Sequence, residues 1–173
     1  MLIKKNKKSD KVNKMFLRFV EEEDSYALLR WRNDFVTSKN SFNTKEVGEE
    51  EHNLWFKKAI KNPYKNIFIG MNEFNEKVGM IRFDQNPEDN TVEVNIVIAP
   101  EARGEGYGTE ILRKGCETYF NNYPQEYIIA RIKKGNLPSI RVFTKIGFIK
   151  VSEEKDSVTT HLKRTERING EKK

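Results

Sequence analysis

The stretch EARGEGYGTEIL, Glu101 to Leu112, places Gly104, Gly106 and Gly108 at every second position. An alternating apolar run, TVEVNIVIAP (91–100), precedes it, and Ile111, Leu112, Cys116, Tyr119 and Phe120 follow at helical spacing. A strand, a glycine loop and a helix in this order have one obvious use. The loop amides and the unpaired N–H groups of the first helical turn point outward together, and the helix dipole adds to them. Glycine lets an anion come close to that backbone, and Arg103 adds a cation, so the loop is expected to take a phosphate or pyrophosphate.

Two familiar phosphate motifs do not fit. A P-loop needs Lys-Ser/Thr after its last glycine, whereas Gly108 is followed by Thr109-Glu110. The dinucleotide fingerprint G-x-G-x-x-G would require glycine at 109, and it opens a βαβ unit. Here the loop follows antiparallel runs instead.

Those runs belong to a longer series. MFLRFV (15–20) reads as a strand, and the acidic cluster 21–24 leads into a helix over SYALLRWRN. FVTSKNSFNTK (35–45) reads as polar and irregular. A second helix spans roughly 48–61, ended by Asn62-Pro63. NIFIGM (66–71), KVGMIRF (77–83) and 91–100 are three strands joined by turn chemistry. EYIIARI (126–132) is a further strand, and NLPSIRVFTKI (136–146) is a helix with Asn136 as its cap, Pro138 in its first turn and Gly147 at its end. FIKVS and SVTTHL close the series as a hairpin. The order is β-α-α-β-β-β-α-β-α-β-β, a mixed α/β sheet of about seven strands flanked by four helices.

The pattern R-x-x-G-x-G, here Arg103 to Gly108, behind the strand IVIAPEA, resembles the pyrophosphate loop of the GCN5-related N-acetyltransferase (GNAT) superfamily. Downstream, Asn136-Leu-Pro-Ser139 with Phe143-Thr-Lys-Ile-Gly147-Phe148 resembles the family segment N-x-x-S/A-x-x-x-Y/F-x-K-x-G-F. The likeness covers roughly 15–163. It implies the GNAT fold, with acetyl-CoA in a cleft where the parallel strands near 91–98 and 126–132 splay apart. By resemblance, Ile96, Val97 and Ile98 offer main-chain groups to the pantetheine arm. Arg103, Gly104, Gly106, Gly108 and Thr109 hold the pyrophosphate, and Asn136, Ser139 and Phe143 contact the cofactor. Many relatives carry a catalytic carboxylate where Glu93 stands, on the polar side of its strand. Their frequent general acid, a Tyr, is here Phe143, which has no proton to give.

The N-terminal half is left to define the acceptor. Trp31-Arg32-Asn33 ends one helix, and His52 and Trp55 lie close together on the next. Aromatic faces stack on sugars, and Arg, Asn and His groups bind hydroxyls and phosphates. The blocks WRND, H-x-x-WF, VGxIRF and RGxGYGT resemble acetyltransferases of nucleotide-linked 4-amino sugars, the pseudaminic acid pathway type. Similar blocks occur in ribosomal-protein N-terminal and aminoglycoside acetyltransferases. The partner implied is a small-molecule amine, with a homodimer and a non-catalytic acyl-CoA-binding role left open.

Composition bounds the rest. The 173 residues suffice for one core, and no apolar run is long enough for a membrane span. The lone Cys116 fits a reducing cytoplasm, and two His with one Cys make no ligand-spaced metal cluster. The net charge of +6 gathers at the ends, and residues 1–14 and 164–173 are expected to be solvated tails around one domain, 15–163. The first tail holds no aromatic residue to stack on a base, which argues against nucleic acid.

Overall fold

A computed structural model describes residues 14–165. Seven strands form one sheet: β1 (Met15–Phe19), β2 (Lys65–Asn72), β3 (Lys77–Gln85), β4 (Val92–Ile98), β5 (Tyr127–Lys133), β6 (Ile149–Glu153) and β7 (Ser157–Lys163). Their spatial order is β1-β2-β3-β4-β5-β7-β6, and every neighbouring pair is antiparallel except β4 with β5. The helices are α1 (Ser25–Asn33), α2 (Phe35–Asn40), α3 (Glu49–Ala59), α4 (Tyr107–Asn122) and α5 (Leu137–Ile146).

Five helices replace the four expected. Residues 35–40, expected to be irregular, form α2, because the Asp34 carboxylate accepts the Thr37 N–H at 3.0 Å and so caps the first turn. The hydrophobic pattern misses this helix because Phe35 and Val36 stay exposed and bury no stripe. Elsewhere period and caps work as expected: the Asn136 side chain caps α5, and Gly147 ends it at φ +104°.

Alternation along the strands assigns the two faces. Phe83, Ile81 and Gly79 of β3 lie opposite Val94, Ile96 and Ile98 of β4, and this face packs under α4. Gly115 of α4 sits so near that a Cβ there would come within 2.5 Å of Ile81 Cδ1. Met80, Arg82 and Asp84 share the other face with Val97, Asn95 and Glu93, on the side of α1 and α3.

At Gly79 the obstacle is backbone: an added Cβ would lie 2.6 Å from the Val97 carbonyl oxygen. Gly79→Ala is therefore expected to destabilise by about 1–3 kcal/mol, since a ladder cannot yield as a flexible side chain does. A fall in the urea midpoint checks this, and an unchanged midpoint refutes it.

The predicted tails lie largely outside the described residues. Arg164, assigned to the C-terminal tail, belongs to the fold: its guanidinium donates to the carbonyls of Phe120, Tyr123 and Gln125 at the end of α4. No described helix is long and apolar enough to cross a membrane. Among the described residues no group of three His, Cys, Asp or Glu is placed to hold a metal ion.

Candidate functional site

The sheet forks at its centre. β4 and β5 share a single register pair, Glu93 with Ile129, and part beyond it. Ile96, Val97 and Ile98 then pair only with β3, through Ile81, Met80 and Gly79. Their second main-chain edge faces the gap. An edge of this kind can hydrogen-bond an extended ligand much as a sheet accepts an added strand.

The glycine loop stands at the open end of that edge. Gly104 and Gly106 have φ of +81° and +87°, and among the described residues no atom outside the adjoining backbone lies within 4 Å of a Cβ built on either. Glycine is needed there for the left-handed backbone, and the space outside is open. Gly106 is the N-cap of α4, and no side chain caps that first turn. Gly108 is different: it lies in the helix, and a Cβ would make ordinary contact with Ile98 and Val142 at 3.6–3.9 Å. Thr109 is half-buried one residue further on. An open, positively polarised turn fits a diphosphate, so the loop and the free β4 edge together suit the pyrophosphate and arm of acetyl-CoA.

Arg103 departs from expectation. Its Nη2 donates to Asp34 Oδ2 at 2.5 Å and to Thr37 Oγ1 at 2.9 Å. The expected cation is thus already compensated, and it serves as a strut from the loop to α2. Asn136 is likewise occupied, accepting the Ser139 N–H at 3.3 Å. Phe143 is not at the cleft surface: it is 3% exposed and packs edge-to-face on Phe148, with ring centroids 4.8 Å apart. The apolar face of α5 needs it in the core, so its place among the cofactor contacts is not supported.

On the α1–α3 face a cavity of about 300 Å³ abuts β4 at Val97. Trp31, Arg32, His52 and Trp55, all expected on the acceptor side, line it. Asn33 does not. Its amide donates to the Val47 carbonyl at 2.8 Å and accepts the Val47 N–H at 2.9 Å, clamping the 41–48 loop to α1. Trp31 is 1% exposed and is as much core as wall. His52 is buried, with its Nε2 2.9 Å from the Ser25 carbonyl. A carbonyl only accepts, so Nε2 carries the proton and Nδ1 keeps a lone pair. Burial pushes the His52 pKa down, which keeps the ring neutral at physiological pH.

Met80 and Arg82 also line the cavity, and sequence reasoning did not assign them. The signal was present in KVGMIRF, where alternation puts both on the face opposite the core residues Ile81 and Phe83. Glu51, Asn43 and Val47 add to the wall from α3 and the loop before it, and Leu28 from α1.

Glu93 is half-buried where the strands part, opposite Asp84 of β3. Asp84 is taken by Lys65 at 2.5 Å and Arg82 at 2.8 Å. Glu93 shares the cavity's face but does not line it. Val97 lies four positions further on, about 13 Å along an extended strand.

Comparison with known proteins now has a geometry to attach to. The acetyltransferase (GNAT) domain family matches residues 14–149. The uncharacterized N-acetyltransferase YobR of Bacillus subtilis (strain 168) is 41% identical over 59 residues, 34% of this chain and 24% of that protein. An N-acetyltransferase 9-like protein of Nematostella vectensis is 34% identical over 87 residues, 49% of this chain and 44% of that protein. The chain therefore spans less than half the length of these curated relatives. A crystal structure of spermidine N-acetyltransferase from Vibrio cholerae, in complex with CoA and spermine, superposes with a TM-score of 0.79. It is 18% identical, and the match covers 86% of this chain and 95% of that one, a likeness of fold.

Proposed function

The chain belongs to the acetyltransferase (GNAT) domain family, and from that premise we propose that it transfers acetyl from acetyl-CoA directly to a primary amine. One observation carries this: the main-chain edge of Ile96–Ile98 is left free beside the glycine loop, with a cavity against the same strand. Ile96, Val97 and Ile98 would hold the arm, and Gly104, Gly106, Gly108 and Thr109 the pyrophosphate. When bound, acetyl-CoA supplies an acyl group activated as a thioester. The chain's own part is to seat the amine in the cavity and accept its proton as the C–N bond forms and the C–S bond breaks, the CoA thiolate leaving to take its proton from water. Holding both reactants in one fork can supply much of the acceleration.

We assign the acceptor as the 4-amino group of a nucleotide-linked deoxy sugar, processed by one domain over 15–163 in the cytoplasm, where acetyl-CoA is supplied. Flat walls from Trp55 and His52 beside the guanidinium groups of Arg32 and Arg82 suit a sugar ring with oxygen substituents. Arg32, which has no carboxylate partner among the described residues, disfavours a polyamine or an aminoglycoside. A peptide N-terminus would gain from an acidic wall, but of Glu49, Glu50 and Glu51 only Glu51 reaches the cavity.

Thiol release from acetyl-CoA, with product masses, tests the proposal across nucleotide-linked 4-amino sugars, ribosomal-protein N-terminal peptides, aminoglycosides and spermidine. Turnover on the sugar with one acetyl added supports it. Turnover confined to another class overturns the acceptor, and silence on all overturns the activity assigned here. Glu93 is proposed as the base, acting through water given its distance from the cavity. Glu93→Gln is then expected to lower kcat by about 10²–10⁴ with acetyl-CoA affinity unchanged. Unaltered kcat would remove Glu93 from the chemistry.

A further inference from the structure

Two of the cavity's lining residues have polar atoms that find no partner among the described residues. The indole N–H of Trp31 is buried without an acceptor, and so is the Nη1 of Arg32. They are neighbours at the end of α1, and both residues line the cavity. Buried donors are nearly always paired, so a pair of orphans beside a void points to what enters it.

Charge points the same way. Arg32 donates through Nη2 to the carbonyls of Asn43 at 2.6 Å and Lys45 at 3.4 Å, and no carboxylate among the described residues comes within ion-pair distance of it. The other wall cation, Arg82, is held by Asp84 and lies 5.6 Å over the Trp55 ring. The wall's one carboxylate, Glu51, is exposed. Neutral His52 adds no charge and offers a lone pair. A guanidinium without a counter-ion, with a second donor next to it, is half of an ion pair.

We infer that Arg32 and Trp31 form a receptor for an oxyanion carried by the acceptor, and that this receptor selects anionic amines over polycationic ones. The inference rests on the acceptor reading of the cavity and deepens it. The oxyanion is either a phosphate, as in a nucleotide-linked sugar, or a carboxylate, as in an amino acid. Both accept from a guanidinium fork, and both accept an indole N–H.

The test separates binding from turnover. With the glycine loop saturated by CoA, inorganic pyrophosphate and acetate are titrated calorimetrically into the wild type, R32Q and W31F. Binding of either anion that is lost in R32Q supports the receptor, and the arm that binds identifies the source. No binding, or equal binding in all three proteins, overturns it. In turnover, R32Q is expected to raise KM for the nucleotide-linked amino sugar about a hundredfold and W31F about tenfold, the span of one charge-assisted and one ordinary hydrogen bond. In both variants acetyl-CoA affinity should stay within about threefold of wild type and the loss should fall on KM rather than kcat, a pattern that general loosening of the fold would not give. Because Arg32 also anchors the 43–45 backbone, W31F carries the same test if R32Q does not fold. Faster turnover of spermidine than of any anionic amine overturns the selectivity. If no amine is acetylated yet pyrophosphate binding still needs Arg32, the receptor stands and the acetyltransfer assignment falls.

Discussion

Asp24→Ala is expected to cost roughly 3 kcal/mol of stability, the largest single-residue loss we foresee in the fold. Asp24 is fully buried, and its carboxylate takes two bonds from Arg18 at 2.7 and 2.8 Å, one from Lys77 at 2.7 Å and the Glu21 N–H at 2.8 Å. Removing it leaves two cations facing each other without their anion. They keep 23% and 29% of their side-chain surface in water, so the loss falls at the low end for a broken buried pair. Burial alone would raise the Asp24 pKa, but the hydrogen bonds from Arg18, Lys77 and the Glu21 amide outweigh it and bring it from 3.8 to about 2. That fall is worth roughly 2 to 3 kcal/mol, in line with the first figure. Because the folded pKa is depressed, the stabilisation is complete above pH 4 and is lost as pH falls toward 2. Urea midpoints of wild type and Asp24→Asn should differ at pH 7 and converge near pH 2. A constant gap across that range would show that the carboxylate's charge is not what stabilises.

The same residue shows where sequence reasoning stops. An acidic cluster ahead of a helix reads as favourable charge at its N-terminus, and Glu22 and Glu23 are exposed as that reading requires. Nothing local marks Asp24 as the member that turns inward, because its partners come from β1 and from β3, fifty-three residues away. The strands were legible for the opposite reason. Alternation in 77–83 and 91–98 is a local property, and the register of β3 with β4 keeps each set of residues on the face the pattern assigns. α2 was missed because its apolar residues cover no core; tertiary ties hold it, the Arg103 strut to Asp34 and Thr37 and the Lys133 ammonium on the Lys39 carbonyl.

In the site, legibility follows the same division. The glycine loop and the Asn136 cap are short-range features, and both are where the sequence put them. Asn33 and Phe143 carry side chains suited to a ligand, yet the protein itself consumes them, one on Val47 and the other on Phe148. Residue type proposes a contact, but only tertiary pairing shows whether the group is still free to make it. Met80 and Arg82 reverse the error: alternation in 77–83 puts them on the face away from α4, but only strand register with β4 shows that this face meets the cavity.

Gly106→Val should weaken acetyl-CoA binding by at least about a hundredfold while the sheet still forms. The position is left-handed at φ +87°, where a β-branched residue is disfavoured by about 1–3 kcal/mol. The chain escapes that strain by rotating the peptide units around 106, and these carry the amides that open α4. Relief of strain and loss of the anion site are therefore the same movement. Among the described residues no atom outside the adjoining backbone lies within 4 Å of the new Cβ, so crowding inside the fold contributes little at that atom and the core is spared. Gly108→Ala provides the contrast. Its Cβ would meet Ile98 and Val142 at ordinary contact distance, and its backbone is helical, so stability should change by less than about 1 kcal/mol. Calorimetric titration of CoA into both variants, beside their urea midpoints, separates the two effects. Full CoA affinity in Gly106→Val would mean that the loop turns the chain and holds no phosphate. Loss of affinity in Gly108→Ala at unchanged stability would mean that the cofactor passes close enough to α4 to meet a single methyl group.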